Sequence, residues 1–285
     1  IRVGYLCGEF REQATAHLMC GVWEAHDKTR VITHAIDSGA GDGSPMRKRI
    51  ESAFDTMVNI AGQADADAAS RIAKLDLDVL VNLNGFFGSA RPGVFARRPA
   101  RVQVNYLGFP GTLGSPAIDY LLADAQVLPQ LSYPHYTEKI AWLPHCYQAN
   151  DARKAIAPQA PVRTALGLPE QGFVYCCFNN SYKILPATFA SWMNILRAVP
   201  GSVLWLIDDN ADATRNLRAE AQARGVDGAR IVFARRVPIA EHLARHAAAD
   251  LFLDSLPYNA HTTASDALWA GLPVLTQTGT SFPGR

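Results

Sequence analysis

The sequence predicts an α/β protein made of two Rossmann-like domains facing a cleft, on three observations. Short apolar runs alternate with longer helical patterns, as in βαβ units built on parallel sheets. Residues 151–171 break the alternation with several prolines and few large apolar residues, the composition of a linker. A second βα series then begins, so the expected domains are 1–150 and 172–285. Ligands of such sheets bind beyond the carboxyl ends of the strands, so the loops there are where chemistry is expected.

In the first domain strands are expected at 2–6, 31–35, 79–83, 101–106 and 120–122, each an apolar or β-branched run. Helical patterns lie at 17–26, 46–54 and 64–74, and a short strand at 139–142 leads into His145-Cys146-Tyr147. In the second domain strands at 173–178, 203–207, 231–233, 251–253 and 273–276 alternate with helices at 186–198, 211–224 and 239–247. A further helix is expected to open at 265–270. The first strand starts at Arg2 and the last is followed only by a loop to Arg285. The natural polypeptide is therefore expected to continue, with the C-terminal domain incomplete here.

The 285 residues, 48% hydrophobic and 19% charged, suit a globular protein with a large core. A net charge of +1 gives no field to gather nucleic acid or anionic lipid, so neither partner is expected. No apolar run reaches membrane-spanning length, and no signal peptide is expected before the first strand. The five cysteines include the adjacent pair Cys176-Cys177, which points to opposite faces of a strand. That excludes a disulfide framework and suggests a cytoplasmic location. No Cys/His grouping has zinc-site spacing.

The most informative stretch is Asn259-Ala260-His261-Thr262-Thr263-Ala264-Ser265-Asp266, between a strand and a helical pattern. A strand-to-helix turn presents unpaired N–H groups and the positive end of the helix dipole, a site for phosphate. His261, Thr262 and Thr263 add donors, and Asp266, one turn further in, can reach a ribose hydroxyl. The alternative is a plain N-cap formed by Thr262 or Thr263. Lys183, in Phe178-Asn179-Asn180-Ser181-Tyr182-Lys183, follows the first strand of the same domain. It can neutralise a pyrophosphate, with Asn180 adding a hydrogen bond; the alternative is a solvated surface lysine. His242 and Arg245 share a helix face at i, i+3, after the loop Arg235-Arg236-Val237-Pro238 where a base can lie against backbone amides. That helix can equally be amphipathic with a polar face.

In the first domain Gly108-Phe109-Pro110-Gly111-Thr112-Leu113-Gly114 allows close backbone approach but lacks a Walker A ending. Gly4-Tyr5-Leu6-Cys7-Gly8 does not fit the dinucleotide fingerprint either. His17, at the start of the first helix, would face the cleft and is a candidate base, or a capping or partly buried histidine. Of the paired carboxylates, Asp76-Leu77-Asp78 precedes its strand and Asp65-Ala66-Asp67 falls in a helix. Only Asp208-Asp209 is placed to hold a metal, and none is expected, since Lys183 and the helix terminus supply the charge a departing diphosphate needs.

Taken in order, several stretches resemble the catalytic region of nucleocytoplasmic protein O-linked N-acetylglucosaminyltransferases, bacterial homologues in particular. They are Arg2-Val3-Gly4-Tyr5, Thr15-Ala16-His17-Leu18-Met19, Leu80-Val81-Asn82-Leu83-Asn84-Gly85, Leu107 to Thr112, Glu138-Lys139 with Leu143-Pro144-His145, and Phe178 to Lys183. Val203-Leu204-Trp205-Leu206 and His261 to Gly271 complete the set, which covers nearly the whole chain. The resemblance implies a GT-B glycosyltransferase that uses UDP-N-acetylglucosamine (UDP-GlcNAc), inverts the anomeric centre, needs no metal or other cofactor, and acts on Ser/Thr hydroxyls of protein acceptors. By that pattern Lys183 steadies the diphosphate, His261, Thr262 and Thr263 bind it, and Asp266 holds the ribose. Arg245, His242 and the Arg236-Val237 backbone lie by the uracil; the Gly108, Pro110 and Gly111 loop approaches the sugar; His17 is the base or an acceptor-side residue. The chain departs from the pattern with Asn180 for a common Gln, Ile239 for a lysine and Asp78 for a histidine. Relatives usually carry N-terminal tetratricopeptide repeats, expected in the full polypeptide. The rival expectations are another UDP-GlcNAc enzyme on this fold, such as an epimerase, or a UDP-sugar-binding module with little catalysis.

Overall fold

The computed structural model describes residues 1–285, which form two compact units, Ile1–Arg153 and Lys154–Arg285. The first contains β1 (Arg2–Cys7), α1 (Ala14–Glu24), β2 (Ile32–Asp37), α2 (Pro45–Ala53), β3 (Thr56–Asn59), α3 (Asp65–Ala73) and β4 (Val79–Asn82). It continues with α4 (Pro92–Phe95), β5 (Val102–Asn105), β6 (Tyr120–Ala123) and β7 (Lys139–Trp142). The strands form one parallel sheet in the order β3-β2-β1-β4-β5-β6-β7.

Neighbouring residues of β1 serve opposite faces of this sheet, as strand geometry requires. Leu6 joins Ile36, Leu80 and the α3 residues Ala68 and Ile72 in one core cluster. Tyr5 packs edge-on against Trp23 and Phe54, whose ring centres lie 6.2 and 5.9 Å away. Phe10 closes that aromatic group at 5.2 Å from Trp23. α2 starts cleanly because Ser44 Oγ accepts the Arg47 N–H at 3.1 Å and Pro45 needs no partner in the first turn. β3 was not expected. It is a four-residue edge strand paired only to β2, half exposed, and too short for its sequence to show a period.

The second unit contains β8 (Val174–Cys177), α5 (Pro186–Ala198), β9 (Val203–Ile207), α6 (Ala211–Ala223), β10 (Ile231–Ala234), α7 (Ile239–Ala244), β11 (Leu251–Leu253), α8 (Thr262–Trp269) and β12 (Val274–Leu275). Its parallel sheet runs β10-β9-β8-β11-β12. β9 is buried throughout and reads as an unbroken apolar run, because helices cover both faces of a parallel sheet. Trp205, Phe252 and Met193 anchor its core.

Three expectations change here. α8 begins at Thr262 rather than 265, so the Thr pair forms its first turn. The helix after β10 ends at Ala244 and continues as a 3₁₀ turn, Arg245–Ala248. Residues 154–171, expected as a linker, are packed into the second unit. The Ala157 N–H donates to Ala240 O at 3.0 Å, Arg163 pairs with Asp250 at 2.8 Å, and Leu168 is buried in the core. The segment is held by backbone bonds and ion pairs, which a low apolar content does not reveal.

In both sheets the strand order reverses next to the first strand, between β1 and β4 and between β8 and β11. The loops leaving the carboxyl ends there diverge and leave a crevice, where ligands of doubly wound sheets sit.

Replacing Trp23 by Ala empties the aromatic side of the first core and should cost about 3–5 kcal/mol. Denaturant unfolding should show the first unit's transition moving to lower denaturant while the second unit's holds; an unchanged midpoint would contradict this packing.

Candidate nucleotide-binding site

The crevice of the second unit is organised by Asp254, the buried residue directly after β11. One carboxylate oxygen accepts the N–H groups of Ser255 and Ala260, both at 2.7 Å. The other accepts Asn259 Nδ2 at 3.0 Å and Thr276 Oγ1 at 2.7 Å. These bonds close the loop 254–260 on itself and fix where α8 starts. A second link comes from β8: buried Asn179 donates Nδ2 to Ser255 Oγ at 2.9 Å and accepts the Thr263 hydroxyl at 2.5 Å. The amino end of α8 is thereby tied to the loop leaving β8.

His261 occupies the N-cap position of α8, with φ −109° and ψ −86°, and its side chain makes no capping hydrogen bond. A hydroxyl N-cap is therefore not what the Thr pair provides; Thr263 is spent on Asn179. The first-turn N–H groups and the helix dipole remain for an anion. Lys183 ends the 3₁₀ turn Ser181–Lys183 after β8 and is half-buried. Its Nζ lies 4.6 Å from the centre of the Tyr258 ring, with no carboxylate at ion-pair distance. Burial pushes its pKa down, against the pull of Asp254. The same burial, with the Lys183 charge, pushes His261 down to about 4. The crevice thus combines one ammonium, a neutral imidazole and an uncapped helix terminus.

Beside it, Arg236 donates to Asn180 Oδ1 at 3.1 Å, and Val237 is exposed. Arg245 is 3% exposed, so the helix does not present it on a solvated polar face. Its guanidinium donates to Arg235 O at 2.6 Å, lies 4.7 Å from the Phe178 ring centre, and contacts His242 Nδ1. Burial pushes Arg245 down to about 10, and burial with the neighbouring Arg245 charge pushes His242 down to about 3. A pocket of about 590 Å³ opens here, lined by Arg235, Val237, Arg245 and Trp205 and walled by Gln159, Pro161 and Leu166.

Asp266 is buried, and its Oδ1 is paired with Lys154 Nζ at 2.7 Å. The expected ribose ligand therefore has one oxygen already engaged. Lys154, Asn179, Asp254 and Tyr258 contact or hold the expected residues of this crevice and were not among those expected from the sequence. Asn179 and Tyr258 stood inside or beside the quoted motifs; Lys154 lies 112 positions from its partner and left no local signal.

The remaining predicted residues belong to the first unit. His17 is in the first turn of α1, and its Nε2 lies 2.8 Å from Glu12 Oε1. The loop after β5 places Leu107 at φ 65°, a conformation rare for a residue with a side chain. At Gly108 an added Cβ would stand 1.9 Å from Leu83 O, so only glycine fits. Gly111 N–H donates to Phe109 O at 3.0 Å across Pro110. Buried Glu138 ties the loop down, accepting the Thr112 hydroxyl and the Leu113 N–H, each at 2.6 Å. The carboxylate pairs are engaged elsewhere: Asp78 with Arg2 N–H and Arg101, Asp65 with Arg91, Asp208 with Thr214, and Asp209 with Ser181 N–H. No group of three or more His, Cys, Asp or Glu side chains is placed to hold a metal ion. No helix is long and apolar enough to cross a membrane.

Two parallel sheets with interleaved helices, each with its loops at the carboxyl edge, define the GT-B class of glycosyltransferase folds. The sequence profile of glycosyl transferase family 41 matches residues 1–161 and 156–285, and the chain belongs to that family. It is 39% identical over 283 residues to a protein of Arabidopsis thaliana named as a probable UDP-N-acetylglucosamine–peptide N-acetylglucosaminyltransferase, SEC. That match covers 97% of this chain and 29% of the relative, so the chain spans under a third of that relative's length. Among solved structures, a mutant O-GlcNAc transferase of Thermobaculum terrenum superposes with a TM-score of 0.89 at 31% identity, over 100% of this chain and 54% of that one. An Anabaena protein, HepE, solved with UDP and glucose, matches at TM-score 0.63 and 14% identity over 96% of this chain and 80% of its own, a likeness of fold alone.

The two depressed histidines set a pH dependence. In the folded protein His242 and His261 stay neutral down to about 3 and about 4, whereas 6.5 is their ordinary value. Between those values the unfolded chain binds more protons, so stability rises with pH. Their contribution is complete above about pH 6.5 and is lost as pH falls through about 4. Thermal melts across that range should show Tm falling with pH, and His261→Gln should flatten part of the slope. A variant as steep as the wild type would contradict a buried neutral His261.

Proposed function

We propose that this chain carries the donor site and catalytic residues of a protein O-linked N-acetylglucosaminyltransferase that is inverting and metal-independent. The observation that carries the reading is the convergence of Lys183, His261 and the uncapped start of α8, with Thr262 and Thr263 in its first turn, on one crevice. An ammonium with no carboxylate at ion-pair distance, beside a helix start that lacks an N-cap side-chain hydrogen bond, suits a diphosphate. Membership of family 41 and the names of its relatives support UDP-GlcNAc as the donor and a protein as the acceptor.

In this reading the diphosphate lies against the α8 terminus and Lys183, the uracil enters the pocket at Val237 and Arg245, with His242 against Arg245 behind it, and Asp266 Oδ2 takes the ribose. A serine or threonine hydroxyl attacks the anomeric carbon on the face opposite the diphosphate. The new C–O bond forms as the bond to the β-phosphate oxygen breaks, the electron pair leaves with UDP, and configuration inverts. Lys183 and the helix terminus meet the charge that develops on that oxygen, an interaction stronger in the transition state than before it. The hydroxyl proton goes to a base, for which His17 in the first unit is the candidate, and the Gly108–Gly111 loop serves the sugar. Since Glu12 sits on His17 Nε2, that role requires Glu12 to yield the nitrogen.

Lys183→Ala should lower turnover by roughly a hundredfold, the scale for losing one transition-state charge donor. The assay is transfer of labelled N-acetylglucosamine from UDP-GlcNAc to a protein acceptor in chelator, with a parallel incubation lacking acceptor. Full activity in the variant would overturn the role of Lys183. Change of the UDP-sugar without acceptor would point to an epimerase instead.

A further inference from the structure

The buried ion pair between Lys154 and Asp266 is not accounted for by the reading above. Its side chains are 4% and 7% exposed, and the two atoms are 2.7 Å apart. Desolvating two charges costs about as much as their attraction returns, so such a pair is weak evidence for stability. It does fix geometry. Lys154 is itself pinned, because its carbonyl accepts the Trp269 indole N–H at 3.1 Å. Three residues later the Ala157 N–H holds Ala240 O at 3.0 Å, so the segment crosses both α8 and α7. It then runs on as Gln159, Pro161 and Leu166 along the pocket at Val237 and Arg245. The Asp266 carboxylate spends Oδ1 on Lys154 and takes no hydrogen bond from the protein at Oδ2.

We propose that Lys154 is a positioning residue of the donor site, holding Asp266 so that Oδ2 is left to accept a vicinal diol of the nucleotide ribose. The strap 154–166 is then part of the nucleotide site, supplying one wall of the base pocket and the cation that sets the diol acceptor. This rests on the donor-site reading above. Lys154 acts through Asp266 and does not touch the ligand.

The test is calorimetric titration of the full chain with UDP and with 2′,3′-dideoxy-UDP, reading the ratio of the two affinities. A hydrogen bond from a hydroxyl to a charged acceptor gives the wild type a preference for UDP of roughly tenfold or more. Lys154→Met and Asp266→Asn should each collapse that ratio toward one, whereas Lys154→Arg should keep most of it. A Lys154→Met protein that weakens both ligands equally and keeps the ratio would overturn the proposal, since that is what a purely structural role gives. Lys154→Met leaves Asp266 buried and unpaired and can fail to fold, so the charge-free double variant Lys154→Met/Asp266→Asn is compared with Asp266→Asn. Equal affinities and ratios support action through Asp266; a further loss of UDP affinity in the double variant overturns it. A wild type that binds neither nucleotide overturns the donor site and this proposal together, and shows in the wild-type titration alone.

Discussion

The Asp254 carboxylate is the constraint on which the crevice at the start of α8 depends. Four donors from Ser255, Asn259, Ala260 and Thr276 converge on its two oxygens. Between them they close the loop after β11, hold β12 to it, and decide where α8 begins. With each oxygen taking two donors, the buried charge is satisfied without a cation. Lys183, which feels the same carboxylate, is therefore left without an ion-pair partner. An acid that paired directly with Lys183 would neutralise the charge that the proposed diphosphate site relies on.

Electrostatically the crevice is prepared for an anion without being strongly cationic. His261 and His242 are held neutral by burial and by the cations beside them, so they donate or stack without adding repulsion. The positive charge here is that of Lys183 and the partial charge of the first turn of α8. Asn179 makes this a single unit, since its hydrogen bonds to Ser255 and Thr263 fasten the β8 exit to both ends of the 255–263 segment. A site of this kind needs little rearrangement to receive a diphosphate, which is where preorganised charge is most effective.

The architecture was legible in the sequence because a parallel sheet buries both faces and leaves unbroken apolar runs such as Val203 to Ile207. β3 escaped because an edge strand of four half-exposed residues leaves no such run. His261, Thr262, Thr263 and Lys183 could be grouped from the sequence because each lies between the carboxyl end of a strand and the body of the next helix, and the fold sends such positions to one edge. Asp254 was passed over because its work is done by backbone N–H groups, which no sequence pattern displays. Lys154 was invisible for a different reason: the prolines around it read as a spacer, and its partner is contributed by a helix more than a hundred residues away. The start of α8 was misplaced because Thr262 and Thr263 looked like caps, whereas Asn179 claims the Thr263 hydroxyl and the helix runs through both.

The most direct test of the central claim, that the α8 terminus and Lys183 form a diphosphate site needing no metal, is to titrate the full chain with UDP and with uridine in the presence of chelator. Two or more charge-assisted hydrogen bonds to the phosphates should make UDP the tighter ligand by roughly a hundredfold or more. Equal affinities for the two, or UDP binding that appears only when a divalent metal is restored, would contradict it.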